Sequence, residues 1–574
     1  MLIQALEILT NVAMRSNQQH SIRKEVMIPV IDLLVARHAS GGVFVHDVDG
    51  FKRELIKVET NNPSETVLLN IARSIQVTNA FVCNRKSLCI RLDPVAIFLP
   101  KTSVPYGTYF MIGDHFSGFH VRFRNVARGG LRIVTSEKAT IPSVMDECYA
   151  LAYAQHLKNK DIPESGAKGI LLVSNKNSVD KSVMNAIDGL LDCILPHKDV
   201  LHAKDRDDIY LGPDEQITPE HIDNIVSLAT ERGHPAPRTF MTSKMKLGFN
   251  HKKLGVTSES VETFMHLTMR KMCFPRHKIF TVKITGGPDG DVAGNMLRIL
   301  YREYGDWCKV VGIADGTAVC EDPEGISWHS IMKLVHANKP LCEFDTYRVG
   351  TKLLKIDACP ENEVLRDTMQ ERVQADVFIP AGGRPFTVND KNYMNVAKTT
   401  KLIVEGANLF ITPSARDKIS SKSNIPIIKD SSANKGGVCT SSMEVLVSMI
   451  LTEDEIVKHK EALEESVLKY VKYLARIESE ALLRNYPTRK DLHRVSEEMS
   501  TTIIQRKGEI YDSLCKSPID YTYFYMDQVV KKHLPSVIVE LGWNRVRTHI
   551  PIHYARMMVA ATIASHEVYN KYFI

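Results

Sequence analysis

The 574-residue sequence predicts an α/β fold with two β-sheets, because two strand patterns occur in different parts of the chain. Residues 104–136 read VPYGTYFMIGDHFSGFHVRFRNVARGGLRIVTS, which alternates polar and apolar residues and is interrupted by glycine, as paired strands are. From residue 279, short apolar runs alternate with helical patterns, which is typical of a doubly wound sheet. A chain of this length is expected to form about two to four domains.

The most informative pattern is the apolar run IFTVKITGG, which begins at Ile279 and leads into the glycine-rich turn GGPDGDVAG at residues 286–294. A helical pattern, NMLRILYREYG, and a second apolar run that reaches Asp315 follow. In such a βαβ unit the glycines let the backbone approach a pyrophosphate, which the N-terminus of the helix holds. An acidic residue about 20 residues farther on binds the adenosine ribose and repels the phosphate of NADP. We therefore predict a Rossmann-like domain that binds NAD, with Asp315 at the ribose.

The candidate cofactor contacts within the turn are Gly287, Gly290, Asp291 and Val292. The usual fingerprint has one residue between its first two glycines, whereas two residues separate Gly287 from Gly290. An ordinary strand-to-helix turn in a parallel sheet is therefore the alternative for the turn taken alone. The flanking strands and the position of Asp315 favour the nucleotide-binding interpretation.

The composition limits the possible partners. Hydrophobic residues make up 44% and charged residues 24%, as in a globular protein, and the net charge of +6 comes without a long basic run. Nucleic acid is therefore not expected as the main partner. No apolar run approaches the roughly 20 residues that cross a bilayer. The eleven cysteines contain no C-x-x-C pair, which indicates free thiols in a reducing compartment, mitochondrial or cytoplasmic, and no spacing suggests a metal site.

Changes in pattern divide the chain into four predicted regions. Residues 1–100 mix helix and strand, residues 101–261 form a mixed-sheet substrate domain, residues 262–440 form the nucleotide-binding domain, and residues 441–574 form a helical C-terminal region. The nucleotide-binding region has later strand candidates in DVFIPAGG, KLIVEGAN and NIPIIKD, at the intervals that a doubly wound sheet produces.

Two lysines are candidates for substrate binding or catalysis. Lys168 lies between small residues in SGAKGI, so a substrate could approach its amine, and partial burial would favour the neutral form needed for acid–base chemistry. A solvated loop lysine is the alternative. Lys158, in HLKNKD, could equally be an exposed charge at a helix end.

Residues in three further sequence patterns could bind an acidic substrate or take part in its reaction. Arg128 and Gly129, in VARGGLRIV, combine a guanidinium with free backbone space, which suits bidentate binding of a carboxylate, and a surface turn is the alternative. Asp223 follows a helix-start pattern and could face the substrate, although a helix cap is the commoner role. Ser441 precedes a helical pattern, where it could bind an anion or simply cap the helix.

Taken together, six motifs in this order and spacing resemble those of the amino-acid dehydrogenases: RGGLRIVTS, SGAKGI, KITGGPDGDVAGN, KVVGIADGTAVCEDPEGI, KLIVEGANLF and SSANKGGVCTSS. They are most similar to the large-subunit NAD-specific glutamate dehydrogenases of fungi and protists, and RLDP at residues 91–94 is similar to that branch in particular. The likeness covers residues from about 80 to about 450. That branch has a long N-terminal region missing from this sequence, so we expect either a shortened chain or a related gene without that region.

The resemblance implies specific roles for the substrate-domain residues. Lys168 matches the catalytic lysine, and Lys158 matches the lysine that holds the α-carboxylate. Arg128 stands where smaller relatives carry a lysine for the distal carboxylate, and Ser441 matches the serine that shares this role. Asp223 is the expected catalytic aspartate. Asp214 and Glu215 remain rival candidates, because the alignment is irregular there.

The resemblance also implies cofactor contacts and an activity. Asn408 matches a residue near the nicotinamide ribose, and Asn434 lies by the same pocket. The implied reaction is NAD-dependent oxidative deamination of L-glutamate to 2-oxoglutarate and ammonia by a homo-oligomer that does not insert into membranes. The alternatives are a dehydrogenase of another amino acid and a catalytically silent NAD-binding or regulatory subunit.

Overall fold

The computed structural model describes residues 1–14, 27, 30–32, 34, 62–98, 103–135, 139–196, 207–244, 246–274, 278–345 and 350–571. The chain forms two compact units. The first unit comprises Met1–His156, Pro163–Gly248 and Glu444–Met449, and the second comprises Leu157–Ile162, Phe249–Met443 and Ile450–Ile574. The chain therefore passes between the units several times. The four predicted regional boundaries stay a prediction.

The first unit contains a mixed sheet of seven described strands. In chain order they are β1 (Ile75–Thr78), β2 (Ser87–Leu92), β3 (Gly107–Gly113), β4 (Phe116–Arg122), β5 (Val126–Val134), β6 (Ser165–Val173) and β7 (Asp208–Pro213). Their order across the sheet is β1-β2-β3-β4-β6-β5-β7. Strands β1 to β4 and β6 pair antiparallel, whereas β5 is parallel to both β6 and β7. The consecutive strands β4 and β5 are therefore separated by β6.

Helices cover both faces of this sheet, because alternate residues of its strands are apolar on each side. Phe110 and Phe119 pack in one core with Met145, and the neighbouring Tyr109 packs in the opposite core with Leu190. The described helices of this part of the chain are Leu2–Ala13, Pro63–Ser74, Ile141–Lys158, Val179–Ile194, Pro219–Glu231 and Pro237–Phe240.

The second unit contains another sheet of seven described strands. They are β8 (Phe280–Thr285), β9 (Cys308–Ala314), β10 (Ala318–Glu321), β11 (Lys352–Lys355), β12 (Val377–Pro380), β13 (Leu402–Val404) and β14 (Ile427–Ile428). Their order is β11-β10-β9-β8-β12-β13-β14. All pairs are parallel except those that involve β10. Because the strand order reverses direction beside β8, the sheet is doubly wound, which confirms the predicted fold class.

The helices of the second unit include a long C-terminal series, as predicted. They are His251–Leu254, Val256–Lys271, Asp291–Tyr304, Trp328–Ala337, Asn362–Asp367, Met369–Arg372, Tyr393–Lys398, Pro413–Ser423, Asp430–Ala433, Gly436–Ile450, Glu453–Lys458, Lys460–Leu482, Leu492–Lys516, Ile519–Tyr525, Lys531–His533, Ser536–Gly542, Val546–His549 and Ile552–Lys571. Met499 and Val568 of the C-terminal helices share one apolar core with Val282 of β8. No helix in the described ranges is long and apolar enough to span a bilayer.

Candidate active site

Lys168 lies within β6, and its amine meets the carboxylate of Asp214 in a close ion pair. Asp214 is the first residue after β7, and its backbone N–H donates to the carbonyl oxygen of Leu131 at 3.1 Å. The Nε of Arg132 lies 3.3 Å from the same carboxylate oxygen. The lysine side chain is 9% exposed and that of Asp214 is 29% exposed, so the pair is accessible from one side. A buried amine that contacts a carboxylate can exchange protons with a bound substrate.

Gly130 leaves the space that this pair occupies. A Cβ atom at Gly130 would lie 3.2 Å from the Nζ of Lys168 and 3.1 Å from the Cβ of Asp214. The parallel pairing of β5 with β7 places Gly130 opposite Gly212. Any side chain at Gly130 would therefore press on the amine and the carboxylate.

Asp223 occupies a different environment from Asp214. It lies in the helix Pro219–Glu231 and is exposed, whereas its neighbour Ile222 is buried. Glu215 approaches the pair less closely than Asp214 does. Its carboxylate lies 3.8 Å from Arg132, and its side chain is 56% exposed. Of the three candidate carboxylates, the structure brings Asp214 to Lys168. A signal that could have identified Asp214 is the short strand-like run IYLGP at residues 209–213, which directly precedes it.

Arg128 lies in β5 and is buried. Its Nη2 donates to the hydroxyl of Thr242 at 3.2 Å, and that hydroxyl lies 3.1 Å from the carbonyl oxygen of Leu211. A Cβ atom at Gly129 would lie 1.7 Å from the carbonyl oxygen of Ala167, so glycine is needed for this approach of β5 to β6. Thr242 was missed in the sequence, since nothing local in FMTSK distinguishes it.

In the second unit, Lys158 is the last residue of the helix Ile141–Lys158. Its Nζ donates to the side-chain oxygen of Asn408 at 2.7 Å, and the amide of Asn434 donates to the same oxygen at 3.0 Å. Burial lowers the pKa of Lys158 to about 8, although nearby Asp430 opposes this change. The structure thus brings together three residues that lie far apart in the sequence.

Ser441 lies inside the helix Gly436–Ile450 rather than at its cap position. Its hydroxyl donates to the carbonyl oxygen of Gly437 at 3.0 Å and lies 3.5 Å from a ring nitrogen of His251. The side chain is buried. A role as the N-cap is therefore excluded by its position.

The glycine-rich turn joins β8 to the helix Asp291–Tyr304, which begins at Asp291. Gly286 has a φ of +104°, which favours glycine, and its N–H donates to the carbonyl oxygen of Ala314 at 2.7 Å. A Cβ atom at Gly294 would lie 2.2 Å from the carbonyl oxygen of Pro288, so this glycine permits the close packing of turn and helix. The turn lies beside β12, where the strand order reverses.

Asp315 lies directly after β9 and next to the turn. A Cβ atom at Gly287 would lie 2.6 Å from its Oδ2. Its Oδ1 accepts hydrogen bonds from the N–H and hydroxyl of Thr317 at 2.7 Å, and its Oδ2 accepts one from the N–H of Leu341 at 2.7 Å. Oδ1 also accepts a hydrogen bond from the N–H of Ala318 at 3.0 Å, so Oδ2 is the oxygen that retains acceptor capacity, since each carboxylate oxygen offers about two lone-pair sites.

These residues fit a dinucleotide. The turn at Gly287 and Gly290 has no side chain to fill the space before the helix, and Val292 lies half-buried one residue after Asp291. The carboxylate of Asp315, the residue predicted to contact the ribose, lies beside that turn. Within the described ranges, no group of three histidine, cysteine or acidic residues could hold a metal ion.

Two dehydrogenase family models match the chain. Residues 248–502 match the glutamate/leucine/phenylalanine/valine dehydrogenases, and residues 55–324 match the catalytic domain of bacterial NAD-glutamate dehydrogenases. Over these residues the chain is similar to both dehydrogenase families. The first match contains the glycine-rich turn and Asp315, and the second contains Lys168 and Asp214. The predicted resemblance is confirmed.

Among curated relatives, the chain is 30% identical to glutamate dehydrogenase 2 of Dictyostelium discoideum, over 90% of this chain and 53% of the relative. It is 31% identical to the NAD-specific glutamate dehydrogenase of Saccharomyces cerevisiae, over 89% of this chain and 52% of that protein. The chain thus spans about half the length of these relatives.

Among solved structures, glutamate dehydrogenase 2 of Plasmodium falciparum matches with a TM-score of 0.51 and 16% identity. The match covers 85% of this chain and 98% of the Plasmodium chain. It supports the fold of a two-domain dehydrogenase.

Proposed function

We propose that this chain catalyses the oxidative deamination of L-glutamate to 2-oxoglutarate and ammonia, with NAD as the hydride acceptor. The observation that carries the proposal is the Lys168–Asp214 pair, which sits beside the small residue Gly130 in β5. The glycine-rich turn with Asp315 supports NAD as the cofactor. The names of the relatives support glutamate as the substrate.

Asp214 is our choice for the group that exchanges protons with the amino nitrogen. Its carboxylate takes a proton from the substrate ammonium, which leaves a neutral amine able to release hydride from its α-carbon. Bound NAD would supply the hydride acceptor, and loss of the hydride would turn the substrate into an iminium ion. Asp214 later returns the proton to nitrogen, so that ammonia leaves when the C–N bond breaks.

Lys168 acts on the water that replaces the amine. Once it has released its own proton to solvent, its amine removes a proton from water as the oxygen attacks the iminium carbon, which forms a carbinolamine and restores the ammonium. The resulting ammonium stabilises the oxygen of the product carbonyl as ammonia departs and the remaining hydroxyl proton passes to solvent. The close contact with Asp214 keeps the amine oriented for both steps.

The substrate carboxylates require cationic and polar partners. Arg128 is buried, and its contact with Thr242 fixes the guanidinium, so it is suited to hold the distal carboxylate bidentately. In the second unit, Lys158 would hold the α-carboxylate and Ser441 would assist at the distal one. Asn408 and Asn434 would contact the nicotinamide end of the cofactor.

The deciding experiment is an assay of the purified chain with glutamate and NAD, followed by NADH absorbance. NADP in place of NAD, and leucine in place of glutamate, should give much slower reduction. Turnover of leucine with none of glutamate would instead identify a dehydrogenase of another amino acid. Binding of NADH without turnover of either substrate would identify a silent subunit.

Two wider features are also proposed. We expect a homo-oligomer, which light scattering of the purified protein would measure. We also expect a reducing compartment, mitochondrial or cytoplasmic, since all eleven cysteines lie in described residues and are free. Fluorescent tagging of the chain in cells would distinguish these two locations.

A further inference from the structure

Four buried charged residues form a compact network in the second unit. The Nζ of Lys160 lies 2.6 Å from Glu478, and the Nζ of Lys435 lies 2.5 Å from both Asp161 and Glu478. All four side chains are at most 1% exposed. Two positive and two negative charges balance, which is required because unpaired buried charges are strongly unfavourable.

The C-terminal helix Ile552–Lys571 completes this network through Tyr569. The Tyr569 hydroxyl lies 3.0 Å from Asp161 and 3.3 Å from Glu478, and the side chain is buried. The network therefore joins the segment after Lys158 to the helix Lys460–Leu482 and to the C-terminal helix. The segment after Lys158 is far from both helices in the sequence.

A third helix holds the same segment. Lys507, in the helix Leu492–Lys516, is buried and donates from its Nζ to the carbonyl oxygens of Asn159 and Ile162, each at 3.1 Å. Residues 159–162 are thus fixed by side chains from three separate C-terminal helices. Buried polar networks of this kind resist displacement, because a shift would separate charges that are paired in the low-dielectric interior.

The network lies next in sequence to a proposed substrate-binding contact. Lys158 precedes Lys160 and Asp161 by two and three residues, and Asn434 directly precedes Lys435. Lys158 and Asn434 share the side-chain oxygen of Asn408. The ion pair between Asp161 and Lys435 therefore ties together the two chain segments that present Lys158 and Asn434.

We propose that Tyr569 is a positioning residue for Lys158, and that it acts through Asp161, Lys435 and Glu478. The C-terminal helix in this way sets the position of the Lys158 ammonium, which receives the substrate α-carboxylate. Neither Tyr569 nor the charged network contacts substrate. The inference rests on the proposed glutamate dehydrogenase activity.

The test is Tyr569→Phe in the full chain, with Tyr511→Phe as a matched control. Tyr511 is also buried, and its hydroxyl lies 3.0 Å from a ring nitrogen of His553 of the same C-terminal helix. Tyr569→Phe should raise the KM for glutamate about fivefold, roughly the value of one ordinary hydrogen bond, because the effect reaches Lys158 indirectly, and kcat should change little. The Kd for NADH should not change, and Tyr511→Phe should leave the KM near that of the parent.

A second measurement asks whether the effect passes through Lys158. In a Lys158→Ala background, adding Tyr569→Phe should cause no further loss of kcat/KM for glutamate, because coupled residues are not additive. A full additional loss would overturn the inference, as would equal shifts in Tyr569→Phe and Tyr511→Phe. If Tyr569→Phe proves unstable, Asp161→Asn perturbs the network from the other side and should raise the same KM. An active parent with an unchanged KM in Tyr569→Phe would overturn only the positioning role, whereas an inactive parent would overturn the proposed function as well.

Discussion

Asp214→Asn is the sharpest test of the candidate active site. The amide keeps the size of the side chain but loses the charge that faces Lys168 and Arg132. Loss of a hydrogen bond between charged groups is worth about 1.5–3 kcal/mol, or roughly 10- to 150-fold. A side chain that transfers protons typically accelerates the reaction about 100- to 10,000-fold, and its removal loses that acceleration. We therefore expect kcat for glutamate to fall at least about 100-fold.

Asp223→Asn is the matched control, because it makes the same chemical change at an exposed position. Surface substitutions usually change stability by less than about 0.5 kcal/mol, so activity should stay within about threefold of the parent. Both variants should melt near the parent temperature and bind NADH with unchanged Kd. A large loss in Asp223→Asn with normal turnover in Asp214→Asn would refute this assignment and restore the choice made from the sequence.

Four other predictions concern binding and pH. Lys168→Ala should still bind NADH while kcat falls at least about 100-fold, and near-normal turnover would exclude the catalytic role. Arg128→Leu should lower kcat/KM for glutamate roughly tenfold or more without changing the Kd for NADH. Asp315→Ser should reduce the preference for NAD over NADP in kcat/KM, and equal use of both cofactors by the parent would contradict the ribose contact. Because burial lowers the pKa of Lys158 to about 8, protonated Lys158 should be lost as pH rises through 8, so kcat/KM should fall there. Lys158→Arg, which stays charged, should lack that fall.

The sequence predicted the nucleotide-binding unit well because its signals are local. Strand, glycine turn, helix and acidic residue follow one another within about 40 residues, and the structure places Asp315 beside Gly287. The fold class and the family resemblance are confirmed. The roles of the individual site residues stay predictions until they are measured.

The carboxylate partner of Lys168 was harder to predict, because it depends on pairing between strands. Asp223 was favoured by the family resemblance, but β7 runs parallel to β5 and places Asp214 at the amine. The buried network was not predictable for a similar reason. Tyr569 and Asp161 lie 408 residues apart, and no local pattern marks either one as a partner of the other.

The approach of β5 to β6 at Gly129 also limits how this protein can change under selection. With the carbonyl oxygen of Ala167 at 1.7 Å from any Cβ, Gly129 has no tolerated substitute unless the two strands separate. In a library randomised over residues 127–131, surviving clones should therefore keep glycine at this position. If Arg128 holds the distal carboxylate as proposed, changes in the recognised acid would arise at Arg128 or at its hydrogen-bond partner Thr242.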